Sequence, residues 1–205
     1  MTNSQLPSDP MPIAPLKKSL LKTLAETKTL EYTSVHNGFF LDYWGLPKVP
    51  SYMSPFTLVL DIPANAAAIP GTGNELISFT HTRDVARYVA ALLDMDKWEE
   101  TTTVTGQTTT WNEFVKIAEE VKGVKFDVTY DGPELYEHGK ITELPGQVAM
   151  YPFFPKEMLQ QFASVFNQLF VQEMLNLSED VTHNKLLDEV KPWSVRDMLE
   201  MAWKA

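Results

Sequence analysis

Two adjacent lysines, Lys17 and Lys18, are the side chains of this 205-residue sequence best placed to do chemistry. With helical spacing, Leu16, Leu20, Leu21 and Leu24 share one face. Lys17 projects from within that apolar arc, while Lys18 and Lys22 lie outside it. A lysine inside such an arc either snorkels its amine to water or stays partly desolvated. Desolvation lowers its pKa, which makes it usable as a general acid or base near neutral pH. By charge alone it could also hold an oxyanion. Next in the chain, His36-Asn37-Gly38 interrupts a strand and opens onto the aromatic run Phe39-Phe40-Leu41-Asp42-Tyr43-Trp44. Glycine permits close backbone approach and aromatic faces can flank a planar ring, so this loop reads either as ligand-facing or as core packing with a turn glycine.

Other constellations carry less. Tyr136 and Lys140 have the spacing at which a helical turn lets a lysine lower a tyrosine's pKa, but Gly139 lies inside that turn. His36, His81, His138 and His183 stand apart, with no partner at metal-ligand spacing. No G-x-S-x-G elbow is present. Pro70-Gly71-Thr72-Gly73-Asn74 resembles part of a phosphate-cradling loop. It leads into an apolar strand rather than a helix N-terminus, so a tight hairpin turn is expected.

These residues need elements to position them. Residues 1–14 read as an extended lead-in, and Pro15 suits the first turn of a helix running to about Thr27. Glu31–Val35 reads as a strand, as do Phe56–Leu60 and Leu76–Phe79. Thr82 reads as an N-cap for a helix with Val85, Tyr88, Val89, Leu92 and Leu93 on one face. Thr110 and Glu113 form a capping box for a helix that buries Phe114, Ile117, Ala118 and Val121 and ends at Gly123. A strand over Lys125–Tyr130 follows, so strands and helices alternate as in an α/β protein. Pro155 starts a long helix whose face of Met158, Leu159, Phe162, Val165, Phe166, Leu169 and Phe170 could pack in the core, wall a substrate pocket or dock a partner. Ser194 and Asp197 cap a closing helix through Trp203.

Composition sets the outer limits. A formal charge of −10 argues against a nucleic-acid or anionic-membrane partner, and the lack of cysteine excludes disulfides and thiol catalysis. No apolar run approaches a membrane span and the first ten residues have no secretory pattern, so a cytoplasmic address is expected.

The order of several motifs is itself informative. The lysine helix, Tyr32-Thr33-x-Val35, Phe40-x-x-Tyr43, Gly71-Thr72-Gly73-Asn74, Phe79-Thr80-x-x-x-Asp84-Val85-Ala86 and Thr110-x-x-Glu113-Phe114 together resemble the NmrA-like and isoflavone-reductase-like family, atypical members of the short-chain dehydrogenase superfamily. The resemblance covers about residues 15–130. It implies an α/β fold, a partial Rossmann-type NAD(P)-binding domain with a C-terminal α/β to helical substrate-binding lobe. It also implies NADP(H) as cofactor and hydride transfer to a small phenylpropanoid-like or quinone-like substrate, with a lysine as the acid–base residue. Counting back from Tyr32 selects Lys18, and the apolar phase of the helix selects Lys17. The nicotinamide-side loop maps onto Asn37, Gly38 and Phe40.

In that family a glycine-rich Gly-x-x-Gly-x-x-Gly turn precedes the lysine helix, and this sequence contains none. The expectation is therefore an N-terminally truncated form, with residues 15–45 the remnant of the dinucleotide-binding domain and 46–205 a substrate-binding lobe intermixed with the last Rossmann elements. The alternative is a non-enzymatic, dinucleotide-sensing regulator that works through a protein partner or as a homo-oligomer.

Overall fold

The structure, a computed structural model, describes residues 14–177 and 190–204. The extended lead-in expected over residues 1–14 and the position of His183 lie almost wholly outside this range. The first helix, α1 (Ala14–Glu26), is followed by β1 (Ser34–His36) and β2 (Phe39–Phe40), and a 3-10 turn over Leu41–Trp44. Then come β3 (Leu60–Asp61), β4 (Ala66–Pro70), β5 (Ile77–Thr80), α2 (Thr82–Leu92), β6 (Thr101–Thr103), β7 (Gln107–Thr109), α3 (Trp111–Lys122) and β8 (Asp127–Asp131). Two short helices, α4 (Pro133–Tyr136) and α5 (Pro145–Val148), precede the long α6 (Lys156–Val171) and the closing α7 (Val195–Trp203).

Parallel pairing dominates the long-range contacts. β1 lies parallel to β6, β2 to β5, and β4 to β8. Each of these pairs needs a crossover: α2 lies between β1 and β6, α2 and α3 lie between β4 and β8, and the β2–β5 connection carries the 3-10 turn with β3 and β4. The mixed α/β architecture is thus the one that the alternating pattern implies. β7 closes the β2–β5 sheet on its far side in antiparallel sense, and β3 does the same for β4.

Several local expectations are corrected. Pro70–Asn74 is not a hairpin turn, because β4 and β5 belong to different sheets. Phe56–Leu60 is not a continuous strand: Leu60 N–H bonds back to the Leu58 carbonyl at 2.6 Å across Val59, whose φ is +58°. The N-cap of α2 is His81 rather than Thr82, and its ring Nδ1 accepts from the Arg83 N–H at 3.1 Å. Thr82 is occupied elsewhere, donating through both its N–H and its hydroxyl to Asp42. Val89 and Leu93 face water, so α2 buries only Asp84, Tyr88 and Leu92. Thr110, Gly123 and the Ser194–Asp197 capping box lie where the sequence puts them.

The core is an aromatic stack that joins elements far apart in sequence. Trp44, Phe79, Trp111, Phe114 and Phe170 are essentially inaccessible, and their ring centroids lie 5.1–5.5 Å apart across the edge-to-face pairs. Such pairs contribute roughly 0.5–1.5 kcal/mol each beyond area burial. Trp44 Nε1 donates to the Leu58 carbonyl, and Trp203 Nε1 donates to the Trp44 carbonyl, which ties the closing helix to the aromatic bend. Residues on both sides of position 45 share this core. Among the described residues no helix is long and apolar enough to cross a membrane.

Candidate functional site

A cavity of about 630 Å³ opens where the aromatic bend meets α6. Gly38, Phe39, Phe40 and Tyr43 line one side, Met53 to Phe56 with Leu58 another, and Phe154, Phe162, Phe166 and Leu175 the remainder. The α6 face divides between the core and the cavity. Leu159, Ala163 and Phe170 turn into the core, while Phe162 and Phe166 wall the cavity. Phe39 connects the two, packing edge-on against Phe166 and Phe170 with centroids at 5.3 Å. A volume of this size lined by rings and aliphatic groups suits a small, flat, apolar ligand.

Of the three loop residues expected beside a cofactor, two reach this cavity. Phe40 and Gly38 line it; Asn37 does not, and its side-chain amide instead caps the Gly38 carbonyl at 3.3 Å. Of the two readings open for Gly38, the geometry fits the turn glycine packed in the core. Its φ is +65°, and a Cβ there would lie 2.2 Å from the Ser78 carbonyl oxygen. The close backbone approach that this glycine permits is thus to β5 inside the fold.

The lysines are placed otherwise than the leucine arc suggests. Lys17 and Lys18 are exposed on α1, and so are Leu16, Leu20 and Leu21, at 68%, 58% and 39% of full accessibility. The leucines give Lys17 no dry surroundings, so the argument for a desolvated amine fails. Neither lysine lines the cavity. Tyr136 and Lys140 form no proton-transfer pair either: α4 ends at Tyr136 and Gly139 reverses the chain. Burial, with help from Glu137, Glu75 and Glu134, pushes the Tyr136 phenol up rather than down.

Behind the cavity a buried carboxylate fixes the bend to α2. Asp42 is 1% exposed and accepts from Ser51 Oγ at 2.5 Å, from the Thr82 N–H at 2.9 Å and from Thr82 Oγ1 at 2.6 Å. It sits at the N-terminus of α2, where the helix dipole favours a negative charge. His81 lies alongside, with Nε2 3.7 Å from Asp42 Oδ1 and its ring 4.7 Å from that of Trp193. Because Nδ1 accepts a backbone hydrogen, the proton of the neutral ring sits on Nε2. Burial holds the imidazole below its ordinary value, against the opposing pull of Asp42 and Asp84.

Sequence reasoning gave no role to Met53–Leu58, Phe154 or Leu175 in this wall. Residues 52–56 carry two aromatics and one proline, which was the available signal, but nothing local says that they fold over Phe40.

A pyrophosphate cradle is not found among the described residues. Gly71–Asn74 is filled by its own neighbours, because Glu75 accepts from the Thr72 N–H and hydroxyl, and a Cβ at Gly73 would meet Asn112 at 2.5 Å.

No protein-family model matches the chain. Oxidoreductase BOA1 of Botryotinia fuckeliana is 40% identical over 115 residues, which is 56% of this chain and 38% of that protein. Oxidoreductase swnN of Metarhizium robertsii is 27% identical over 187 residues, 88% of this chain and 54% of the relative. The chain thus spans between about a third and a half of these two relatives. Among solved structures, the NADPH-dependent quinone oxidoreductase QOR2 of Escherichia coli matches at TM-score 0.64 and 12% identity, over 94% of this chain and 62% of that one. A Staphylococcus aureus nucleoside-diphosphate-sugar epimerase matches at 0.63 and 17%, over 96% and 61%. AtPrR2, solved with NADP+ and (+)pinoresinol, matches at 0.61 and 19%, over 90% and 55%. The fold is that of the isoflavone-reductase-like reductases and their epimerase kin, as the motif order implies. The sequence relatives are proteins named as oxidoreductases.

Proposed function

We propose that this chain supplies the substrate side of an NAD(P)H-dependent oxidoreductase that reduces a small aromatic or quinone-like compound. The observation that carries the reading is the aromatic cavity between the Phe39–Trp44 bend and α6. The names of the sequence relatives and the NADP+ and NADPH complexes among the structural neighbours support it. In this reading Asn37, Gly38 and Phe40 are assigned to the nicotinamide side of the site on the resemblance. A phosphate cradle is lacking among the described residues, which do not fit the cofactor's pyrophosphate. We assign the acid–base role to Lys17 or Lys18 on the resemblance alone, since their exposure removes the physical argument for either. Domain roles follow the same reading, with 15–45 on the cofactor side and 46–205 on the substrate side.

The test is calorimetric titration of the chain with a naphthoquinone, alongside NADPH oxidation in the presence of the same quinone. Saturable quinone binding that Phe166→Ala weakens is the expected result. A folded chain that binds no planar aromatic compound at millimolar concentration overturns the reading. Loss of NADPH oxidation in a Lys17→Ala, Lys18→Ala variant that still binds quinone would support the lysine assignment.

The exposed Leu16, Leu20 and Leu21 favour a second reading, a dinucleotide-sensing regulator with a protein partner. That reading expects NADPH binding without NADPH consumption by any quinone tried.

A further inference from the structure

We infer that the Tyr43 hydroxyl is the polar anchor of the aromatic cavity, and that the cavity takes an aromatic ligand carrying a carbonyl oxygen, a ketone or quinone, at the edge that meets Tyr43. This rests on the cavity being the ligand site, as proposed above, and adds which group orients the ligand and which functional group the ligand must present.

Two of the residues lining the cavity carry side-chain hydroxyls, Tyr43 and Ser54. Ser54 is exposed, whereas Tyr43 is half-buried. The Tyr43 ring is held by aromatic neighbours on several sides, with centroids 5.7 Å from Phe39, 6.3 Å from Trp44 and 6.1 Å from Phe56. Two of these contacts come from the bend itself and the third from the loop that folds over it, so the ring's placement is fixed before any ligand arrives. Its hydroxyl makes no hydrogen bond to a described residue, although the neighbouring Asp42 is fully engaged with Ser51 and Thr82. A preset polar atom without a described protein partner, among lining side chains that apart from Ser54 are apolar, gains by pairing with a ligand.

The direction of that pairing follows from the surroundings. Burial pushes the phenol's pKa up, and the negative charge of Asp42 adds to the effect. The group therefore stays protonated through the neutral range and can donate to a neutral oxygen acceptor. A carbonyl on a flat ring system meets both demands, the ring filling the space between Phe40, Phe162 and Phe166 and the oxygen accepting from Tyr43. A hydrogen bond of this kind also favours electron withdrawal from the carbonyl carbon, which is the direction a reduction requires.

The experiment compares two isosteric probes, 2-acetylnaphthalene and 2-isopropenylnaphthalene, on the wild-type chain and on Tyr43→Phe. Phenylalanine keeps the ring stacking and removes only the oxygen, and circular dichroism melts check that the fold is retained. Expected is a loss of about tenfold in affinity for the ketone on Tyr43→Phe, with the hydrocarbon unchanged. Ser54→Ala is expected to change neither. If both probes bind and the ketone keeps its affinity in Tyr43→Phe, or both lose affinity equally, the anchor is overturned while the cavity reading stands. If neither probe binds the folded wild type, the cavity reading falls and takes the anchor with it.

Discussion

Replacing Gly38 by alanine separates two reasons for a glycine at the head of the aromatic bend. If the residue is there to let a ligand approach, alanine should leave stability nearly unchanged and abolish binding. The structure argues otherwise. At Gly38 the backbone is left-handed, with φ +65°, and an added Cβ would sit 2.2 Å from the Ser78 carbonyl oxygen and 2.8 Å from its carbon. Those are backbone atoms of β5, which is held on both flanks by β2 and β7, and the Ser78 N–H is bonded to the Leu175 carbonyl at 2.9 Å. They cannot swing aside as a side chain would. Gly123 supplies the internal reference, because its φ is +67° and a Cβ there meets nothing within 4 Å.

Gly123→Ala should therefore cost only the left-handed penalty, about 1–2 kcal/mol. Gly38→Ala should cost that plus the displacement of β2 from β5, for a total above about 4 kcal/mol, in the range reserved for core disruption. With roughly 2–4 °C per kcal/mol for a domain of this size, the midpoints should fall by about 2–8 °C and by more than about 8 °C respectively. Urea unfolding followed by circular dichroism, with both variants fitted for midpoint and slope, measures the difference. If Gly38→Ala matches Gly123→Ala to within about 0.5 kcal/mol, the steric argument is wrong and the glycine serves something outside the fold.

Three further outcomes follow from the same geometry. Phe170→Ala, at 1% exposure in the aromatic core, should destabilise by about 3–5 kcal/mol, whereas Phe162→Ala, at 37% exposure on the cavity wall, should cost under about 1.5 kcal/mol and act chiefly on quinone affinity. Asp42→Ala strands the Ser51 and Thr82 donors in a buried site and should cost about 3–5 kcal/mol in a urea melt, with the α2 end loosening first by hydrogen exchange. His81 gives the pH dependence: its folded pKa is depressed from the ordinary 6.5, so below that value the unfolded chain binds more protons. This contribution to stability is complete above pH 6.5 and is lost as pH falls toward the folded pKa; His81→Asn, which keeps a side-chain acceptor for the α2 cap, should flatten the slope in melts across that window.

Legibility from sequence varied with how local each feature is. Helix ends were plain where a cap is written in consecutive residues, as at Thr110 with Gly123 and at Ser194 with Asp197. The cap at α2 was misplaced by one residue because a histidine ring did what a hydroxyl usually does, and Asp42, forty residues earlier, had already taken Thr82. The Gly71–Asn74 turn was misjudged because a turn's residues do not reveal whether the strands they join pair with each other.

The candidate site shows the same division. Phe40 and Gly38 were marked by their place in an aromatic run, and Phe162 and Phe166 by a helical stripe too broad for one purpose. Met53, Phe56 and Leu175 carried no such mark, since a wall built from three separate segments has no period in the sequence.

By itself, then, the sequence determined the alternation of strands and helices, the capped ends of α3 and α7, and the motif order shared with isoflavone-reductase-like proteins. The caps depend on spacing within a few residues, where backbone geometry leaves few choices, and the alternation and motif order are the succession of such local patterns along the chain. Only the tertiary structure decided that the leucine arc of α1 faces water, that Gly38 yields to Ser78, and that Phe162 and Phe166 of the α6 face wall a cavity. Burial and close approach are properties of pairs of segments, and the partner of each segment is chosen by the packing of the whole chain.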